Sequence, residues 1–393
     1  MTGILRSPLL LYVHIPFCAH KCHYCDFNSH QRSTPDWKGY QQALVAELQQ
    51  WAAAPMYAGR KVASIFIGGG TPSLAPPELI HAVIEHAHQL CGFEKNIEIS
   101  IEANPGSVDA EHFAAYRQAG VNRLSMGVQS LNDGELKWLE RIHNSREALH
   151  AFDIARDAGF ENINLDLIYG LPNQSLDQWL QSLQTAIALG TEHLSCYQLT
   201  IEPHTKLATT HAISPINLPD DDLAITMFTE TRNQLRGAGL EAYEISNFAR
   251  PGLKCSHNDG YWKYHDYIGI GAGAAGKWDN SDHDRAGGTT RYSNFRTPES
   301  YIKAVTMGKS AINTQESLLI PQAAGEAVWL GLRRRDGINR SDFCDRFGFD
   351  AAEFFAMQLQ TWQSQNMLTV DEATISLTES GIIVADAIAE SVL

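Results

Sequence analysis

Three of the seven cysteines in this 393-residue chain fall within eight residues, in the run Cys18-Ala19-His20-Lys21-Cys22-His23-Tyr24-Cys25. The spacing is C-x3-C-x2-C, and it follows a short apolar run, Leu9–Val13, that reads as a strand. Cysteine thiolates hold iron–sulfur clusters, usually four to a cluster. Here three are available, and position 27, where a fourth would follow, is Phe27. Three thiolates can bind three corners of a cubic [4Fe-4S] cluster and leave one iron open to an exogenous ligand. A structural zinc site wants four protein ligands. A redox pair needs only the C-x-x-C of Cys22 and Cys25, which leaves Cys18 unexplained.

Composition narrows the context. Hydrophobic residues make up 44% and charged residues 19%, ordinary for a water-soluble globular protein of one large and one smaller domain. A formal net charge of −15 argues against a nucleic-acid backbone as partner, since phosphate binding needs clustered Lys and Arg. No apolar run reaches the roughly 20 residues that span a bilayer, and Met1–Pro8 has no secretory pattern. An odd number of cysteines in a long chain fits a reducing compartment. A cytoplasmic location is the expectation.

Strand and helix patterns alternate after the cysteine run. Strands are expected at Leu9–Val13, Ser64–Ile67, Ile97–Ile101, Arg123–Val128, Ile163–Ile168 and His193–Leu199. Helices are expected near Trp37–Trp51, Pro77–Leu90, Asn132–Arg141, Ser145–Ala158 and Leu176–Leu189. One more opens at Asp109 as N-cap and stops at Gly120. Six βα units in succession imply an α/β fold with a parallel sheet, either open and doubly wound or part of a barrel. In both, ligands bind at the C-terminal ends of the strands. Polar residues recur there: Gly69, Gly70 and Thr71 after the second strand, Glu102 after the third, Gln129 after the fourth, Asp166 late in the fifth and Thr200 after the sixth.

The cysteine spacing, with Tyr24 just before Cys25, resembles the radical S-adenosylmethionine (SAM) superfamily. That resemblance implies SAM bound through its amino and carboxylate groups to the open iron, and it favours a (β/α)6 partial barrel. Further motifs resemble the oxygen-independent coproporphyrinogen III oxidase group. They are Tyr12-Val13-His14-Ile15-Pro16-Phe17-Cys18, Gly68-Gly69-Gly70-Thr71-Pro72, Glu102-Ala103-Asn104-Pro105, Met126-Gly127-Val128-Gln129-Ser130 and Asp166-Leu167-Ile168-Tyr169-Gly170-Leu171-Pro172. The likeness covers residues 8–275. It implies that Gly69, Gly70 and Thr71 meet the methionine part of SAM and that Glu102, Gln129, Arg141 and Asp166 line its pocket. Thr200 joins this set, and Tyr12 and Tyr24 would pack beside cluster and SAM.

Two departures from the oxidase stand out. Phe27 occupies the place of its further cysteine, and only a few residues precede the first strand where the oxidase has a substrate-closing arm. In contrast, Cys255-Ser256-His257-Asn258-Asp259-Gly260-Tyr261-Trp262 contains H-N-x-x-Y-W, which resembles the signature of haem chaperones of the HemW type. That implies haem contact through His257, Asn258, Tyr261 and Trp262. Imidazole is a common axial ligand of haem iron, and the two aromatics can stack on a flat macrocycle. From the residues alone, the favoured reading of His257 is a hydrogen-bonded loop residue beside buried aromatics, and Cys255 or another of the 16 histidines could equally be the axial ligand.

The glycine-rich Ile268–Ala274 reads as a close-packed turn, and residues 276–298 as a linker between a core of residues 1–275 and a module of residues 299–393. The module shows helices near Gln322–Arg334, Ser341–Phe347 and Ala351–Gln365. The strands Leu368–Val370 and Thr374–Leu377 follow, and then a last helix from Glu379, a winged-helix-like pattern. Residues 300–393 carry seven Lys/Arg against twelve Asp/Glu, which argues against a DNA contact. Arg333-Arg334-Arg335 reads as a solvated helix end.

The function expected is a haem chaperone with a SAM-ligated [4Fe-4S] cluster, delivering haem to an acceptor such as a respiratory-chain haemoprotein. A reductant protein would serve the cluster, and any membrane contact would be peripheral, through the acceptor. The first alternative is the oxidase itself, an activity not expected here. The second is a cluster-bearing redox or sensor protein that never cleaves SAM.

Overall fold

The computed structural model describes residues 7–107, 109–280 and 288–392. Among the described residues, fourteen strands precede the C-terminal module: β1 Leu9–Ile15, β2 Phe17–Cys18, β3 His30–Gln31, β4 Val62–Gly69, β5 Phe93–Ala103, β6 Arg123–Gln129, β7 Ile163–Tyr169, β8 His193–Gln198, β9 Glu241–Ala242, β10 Asn247–Ala249, β11 Asp266–Ile270, β12 Ala275–Asp279, β13 Thr289–Asn294 and β14 Ile312–Leu318. Twelve form one sheet in the order β14-β13-β12-β11-β1-β4-β5-β6-β7-β8-β10-β9. From β11 through β8 all neighbours are parallel. The strands from β1 to β8 follow chain order without reversal. Right-handed crossovers that always step the same way put the helices on one face, so the other face is left to line the interior of a partial barrel whose sheet stays open at β14 and β9.

The helices between the strands are α1 Trp37–Ala52, α2 Pro77–Cys91, α3 Ala110–Gln118, α4 Asp133–Trp138, α5 Ser145–Asp157 and α6 Leu176–Ala188. Local signals set their starts. Asp109 accepts from the His112 N–H, and Asn144 and Ser175 form capping boxes with Glu147 and Gln178. Gly120 ends the α3 region with a φ of +102° that suits glycine. The expected helix Asn132–Arg141 is shorter, because α4 stops at Trp138 and Glu140 turns left-handed (φ 53°), freeing Arg141 from the helix.

Side-chain alternation divides each strand. On β6, Leu124, Met126 and Val128 are buried in the main hydrophobic core, while Arg123, Ser125, Gly127 and Gln129 face the interior cavity. On β7, Asn164, Asp166 and Ile168 take the cavity side.

Several expectations need correction. Ile268–Ala274 is only partly a turn, since β11 is a seventh parallel strand on the free edge of β1, and the turn is confined to Gly271–Ala274. The expected linker 276–298 carries β12 and β13, and its residues 281–287 lie outside the described residues. Its polar composition suits an antiparallel edge with a solvated face. Helices α7 Lys206–Ile213, α8 Asp221–Gly237, α9 Ser256–Trp262 and α10 Pro298–Thr306 complete the core; α9 places His257 on a helix, not in a loop.

The C-terminal module has its own hydrophobic cluster. It starts with α11 Ile320–Gly331 and α12 Arg340–Phe347. The expected helix Ala351–Gln365 breaks at Phe355, and Ile338–Asn339 adds a third antiparallel strand to the expected hairpin. The triple arginine is not a solvated end. Arg333 sits over the Trp262 ring and pairs with Asp386, Arg334 bonds Asp259 at 3.1 Å, and Arg335 pairs with Glu241. The cluster therefore helps dock the module on α9.

Glu47 of α1, 1% exposed, ties the late strands to the barrel. It accepts from Tyr301 Oη (2.6 Å), Asn294 Nδ2 (2.7 Å) and the Gly271 N–H (2.9 Å). Removing it strands three buried donors, each worth about 1–3 kcal/mol. Glu47→Ala is expected to lower stability by about 3 kcal/mol or more in urea unfolding.

Candidate functional site

The cysteine loop is closed at its base by parallel pairing of β2 with β3. Beyond the strand ends, the Gly70 N–H donates to the Ile15 carbonyl and the Thr71 N–H to that of Phe17, both at 2.8 Å. This presses Gly69-Gly70-Thr71 against the loop. A Cβ at Gly70 would stand 2.7 Å from the Phe17 oxygen and 2.9 Å from Cys18 Sγ, so only glycine fits. All three cysteines are free thiols. Each has a polar neighbour: Thr71 Oγ1 at 3.5 Å from Cys18 Sγ, Arg141 Nη1 at 3.7 Å from Cys22 Sγ, and Ser29 Oγ at 4.0 Å from Cys25 Sγ. Burial pushes the Cys18 and Cys25 thiols up, and these hydroxyls oppose the shift. Asn28 pins the loop to the barrel through the Ala272 and Arg296 carbonyls, each at 2.9 Å. A donor set of thiols with hydrogen-bond support beside a glycine cradle fits an iron–sulfur cluster.

The loop forms one wall of an interior cavity of about 500 Å³, within the size range of ligand-binding pockets. Cys18, Cys22, Cys25, Tyr12, Tyr24, Gly69, Gly70, Thr71, Glu102, Gln129, Arg141, Asp166, Thr200, His257, Asn258 and Tyr261 all line it. Of the residues singled out from the sequence, only Trp262 lies off the cavity, against Arg333.

Burial disfavours the charged form of both acids. Burial, reinforced by the charge of Asp166, pushes the Glu102 carboxyl up to about 8, although the Gly69 N–H donates to it at 3.0 Å. Burial also raises Asp166, against hydrogen bonds from Asn164 Nδ2 (2.8 Å) and Ser125 Oγ (3.3 Å). Two buried acids whose charged forms are disfavoured suit a cationic ligand, which favours the charged form. Arg141 is anchored by Nη2 on the Gly127 carbonyl at 2.7 Å. Gln129 adopts φ 68°, a left-handed backbone that costs a non-glycine residue about 1 kcal/mol and recurs at functional sites.

His257 sits deeper and is 1% exposed. Its Nδ1 bonds Ser64 Oγ and its Nε2 bonds Tyr261 Oη, each at 2.9 Å. Burial lowers its pKa to about 3, so it is neutral with both ring nitrogens engaged. Metal ligation by this ring would first have to break one of those bonds. Cys255 is buried too, its thiol pushed up to about 12 by burial and donating to Glu98 Oε1. Glu98 also caps α9 through the Ser256 and His257 N–H groups.

Reading only strand ends missed the lower wall: Arg123, Ser125, Asn164, Ser195, Tyr197 and Asn247. Their signal was present as polar residues at alternate positions of otherwise apolar strands, such as R-x-S-x-G-x-Q over 123–129.

Residues 12–186 match the Radical SAM superfamily, and residues 321–384 match the HemN C-terminal domain. The chain is 46% identical to the Heme chaperone HemW of Haemophilus influenzae, over 75% of this chain and 76% of that protein. It is 35% identical to the mitochondrial Radical S-adenosyl methionine domain-containing protein 1 of Bos taurus, over 98% and 87%. Among solved structures, coproporphyrinogen III oxidase (HemN) from Escherichia coli superposes with a TM-score of 0.82 at 25% identity, over 98% of this chain and 90% of that one.

A carboxyl raised to about 8 binds a proton that the unfolded chain releases near pH 4.3. Its contribution to stability is therefore full below that value and is lost as pH rises through 8. Glu102→Gln is expected to flatten this fall and to stabilise the ligand-free protein at pH 8.5 by on the order of 2 kcal/mol, measured by urea unfolding across pH.

Proposed function

The chain belongs to the HemW family of the radical SAM superfamily, and on that premise we propose that it is a haem chaperone that binds haem and passes it to an acceptor haemoprotein. Membership of the superfamily implies a [4Fe-4S] cluster and SAM. When bound, the cluster supplies the electron, and SAM the adenosyl group, of radical chemistry. The observation that carries the reading is the single cavity in which the cysteine loop, the strand-end polar set and α9 meet.

In this reading Cys18, Cys22 and Cys25 ligate the cluster, with Thr71, Ser29 and Arg141 donating to sulfur. Glu102 and Asp166 receive the cationic part of SAM, Arg141 its carboxylate through a planar fork, and Gly69, Gly70 and Thr71 its methionine backbone. Gln129 and Thr200 hold the rim, and Tyr12 and Tyr24 exclude water beside the sulfurs. Haem meets the wall formed by His257, Asn258 and Tyr261. Trp262 acts through packing, since it fixes α9 against Arg333. Because the nitrogens of His257 are engaged, its contribution is wall and hydrogen bond rather than a ready axial ligand. Among the described residues no helix is long and apolar enough to cross a membrane. The reading keeps a cytoplasmic site of action, with reductant and acceptor as protein partners and membrane contact only through the acceptor.

A second reading has one specific observation behind it, the close superposition on the oxidase. An anaerobic assay with cluster-loaded protein, SAM, reductant and coproporphyrinogen III separates the two. The chaperone reading predicts no decarboxylated product by mass; its appearance would make this chain the oxidase.

Two outcomes test the site. Cys18→Ala, Cys22→Ala and Cys25→Ala are each expected to reduce bound iron after reconstitution to near background with an unchanged far-UV spectrum, and wild-type iron content would remove the cluster assignment. His257→Ala is expected to weaken haem binding about tenfold, or 1.4 kcal/mol, in a Soret titration; unchanged affinity would take α9 out of the haem site.

A further inference from the structure

Behind the cavity wall runs a chain of hydrogen bonds that the proposed function leaves unused. It starts at Asn258 on α9, whose Nδ2 is 3.1 Å from Tyr243 Oη, and passes from Tyr243 Oη to His193 Nε2 at 3.0 Å. His193 Nδ1 stands 2.6 Å from Asn164 Oδ1, and Asn164 Nδ2 stands 2.8 Å from Asp166 Oδ1. The chain joins the wall assigned to haem to an acid assigned to SAM. Its middle is sealed. His193 is 0% exposed and Asn164 and Tyr243 are 2% exposed, so each takes its orientation from its neighbours rather than from water. The Arg335 N–H of the C-terminal module fixes Tyr243 by donating to its carbonyl at 2.9 Å.

Burial, with the charge of Arg123, holds the His193 pKa well below its usual value, so the ring carries one proton. It donates through one nitrogen and accepts through the other. When Asp166 is ionised, Asn164 gives it Nδ2–H and His193 gives Nδ1–H to the Asn164 oxygen. His193 Nε2 then accepts from Tyr243, which accepts from Asn258. When Asp166 is protonated, it donates to the Asn164 oxygen and every link reverses, with both amides turned over. The Tyr243 hydroxyl then donates to the Asn258 oxygen. Ser195 favours neither arrangement outright. Its hydroxyl has a single hydrogen, yet its Oγ lies 3.0 Å from Asn164 Oδ1 and 2.8 Å from Asn247 Oδ1. Turning the Asn164 amide over puts a donor in place of one of those oxygens. The two arrangements differ by one proton, taken up from solvent at Asp166, and His193 is neutral in both. The titratable groups facing Asp166 are Glu102, Arg123, Cys196 and Tyr197. Arg123 favours the ionised carboxylate and burial opposes it, so a bound cation tips the balance.

We propose that His193 and Tyr243 are positioning residues through which SAM held at Asp166 sets which end of the Asn258 amide faces the haem wall, so that SAM and haem bind with coupled affinities. Asn258 lines the cavity and makes no other side-chain hydrogen bond among the described residues. With SAM bound it presents its oxygen to the cavity, and without SAM its NH2 group. The relay rests on the chaperone reading and on the SAM assignment. Coupling of this kind is reciprocal, so haem changes SAM affinity by the same factor.

The test uses full-length, cluster-loaded protein carrying isotope-labelled histidine, read by nitrogen NMR with and without SAM. The His193 signals are those missing from His193→Gln. The proton should sit on Nδ1 with SAM and on Nε2 without it. The same tautomer in both states, or a doubly protonated ring, would overturn the proposal. The electron paramagnetic resonance of the reduced cluster then locates the fault: g-values that move with SAM place it in the relay, and unmoved ones in the SAM assignment. In haem titrations the affinities with and without SAM should differ by about fivefold or more. Tyr243→Phe should bring that ratio close to one while SAM still shifts the g-values. Equal affinities in the unsubstituted protein, or an unchanged ratio in Tyr243→Phe, would overturn the relay. Absence of haem binding would end the chaperone reading and leave the tautomer measurement to decide. Should Tyr243→Phe fail to fold, the tautomer in the unsubstituted protein decides alone.

Discussion

The parallel pairing of β1 with β4 is the interaction on which the site depends. It runs from Leu10 opposite Ser64 to Ile15 opposite Gly69, and two further backbone hydrogen bonds carry it past the strand ends to Gly70 and Thr71. That continuation brings the cysteine loop and the glycine segment into contact. Side chains alternate with a period of two, so a slip of one residue would turn every inward group outward. Tyr12 and Phe66 would then leave the cavity. β1 is also buried along nearly its whole length, flanked by β4 and β11, which leaves its register little freedom.

The interior that this sheet encloses is unusually polar for a core. Asn164 and Ser195 bridge Asp166, His193 and Asn247 in a connected hydrogen-bond network. Such a network is stable only when its members are satisfied, and here most are. The Nε atoms of Arg123 and Arg141, without partners among the described residues, therefore stand out against the wall around them. The C-terminal module bears on the same region from outside, because Arg334 bonds Asp259 on the helix that carries His257. Arg346 reaches across to the Tyr264 carbonyl at 2.6 Å and pairs with Asp279.

Much of this was legible in the sequence, for local reasons. The six strands from Leu9 to Leu199 are apolar on both faces or alternate cleanly, and their helices other than α2, which opens at Pro77, begin at Asp, Asn or Ser caps, so their positions follow from periodicity and capping. The cysteine triad and the strand-end acids could be placed because a βα fold puts strand ends together. What failed was non-local. β11 looked like a glycine turn because Gly269 approaches Ala275 too closely for a side chain. β12 and β13 looked like a linker because an edge hairpin can be polar. The arginine triplet looked solvated because its partners, Asp259 and Glu241, lie some 75 to 94 residues earlier in the chain. His257 was recognisable as a residue of interest, but its engagement by Ser64 depends on a strand almost two hundred residues away.

The central claim is that three thiolates leave one iron open at the place where the strand-end residues receive SAM. The most direct measurement is the electron paramagnetic resonance spectrum of the reduced cluster in the full-length protein, with and without SAM. The account predicts a single cluster signal whose g-values shift on addition of SAM, and a much weaker shift in Glu102→Gln at the same SAM concentration. A spectrum indifferent to SAM, from a cluster shown to be intact, would contradict it.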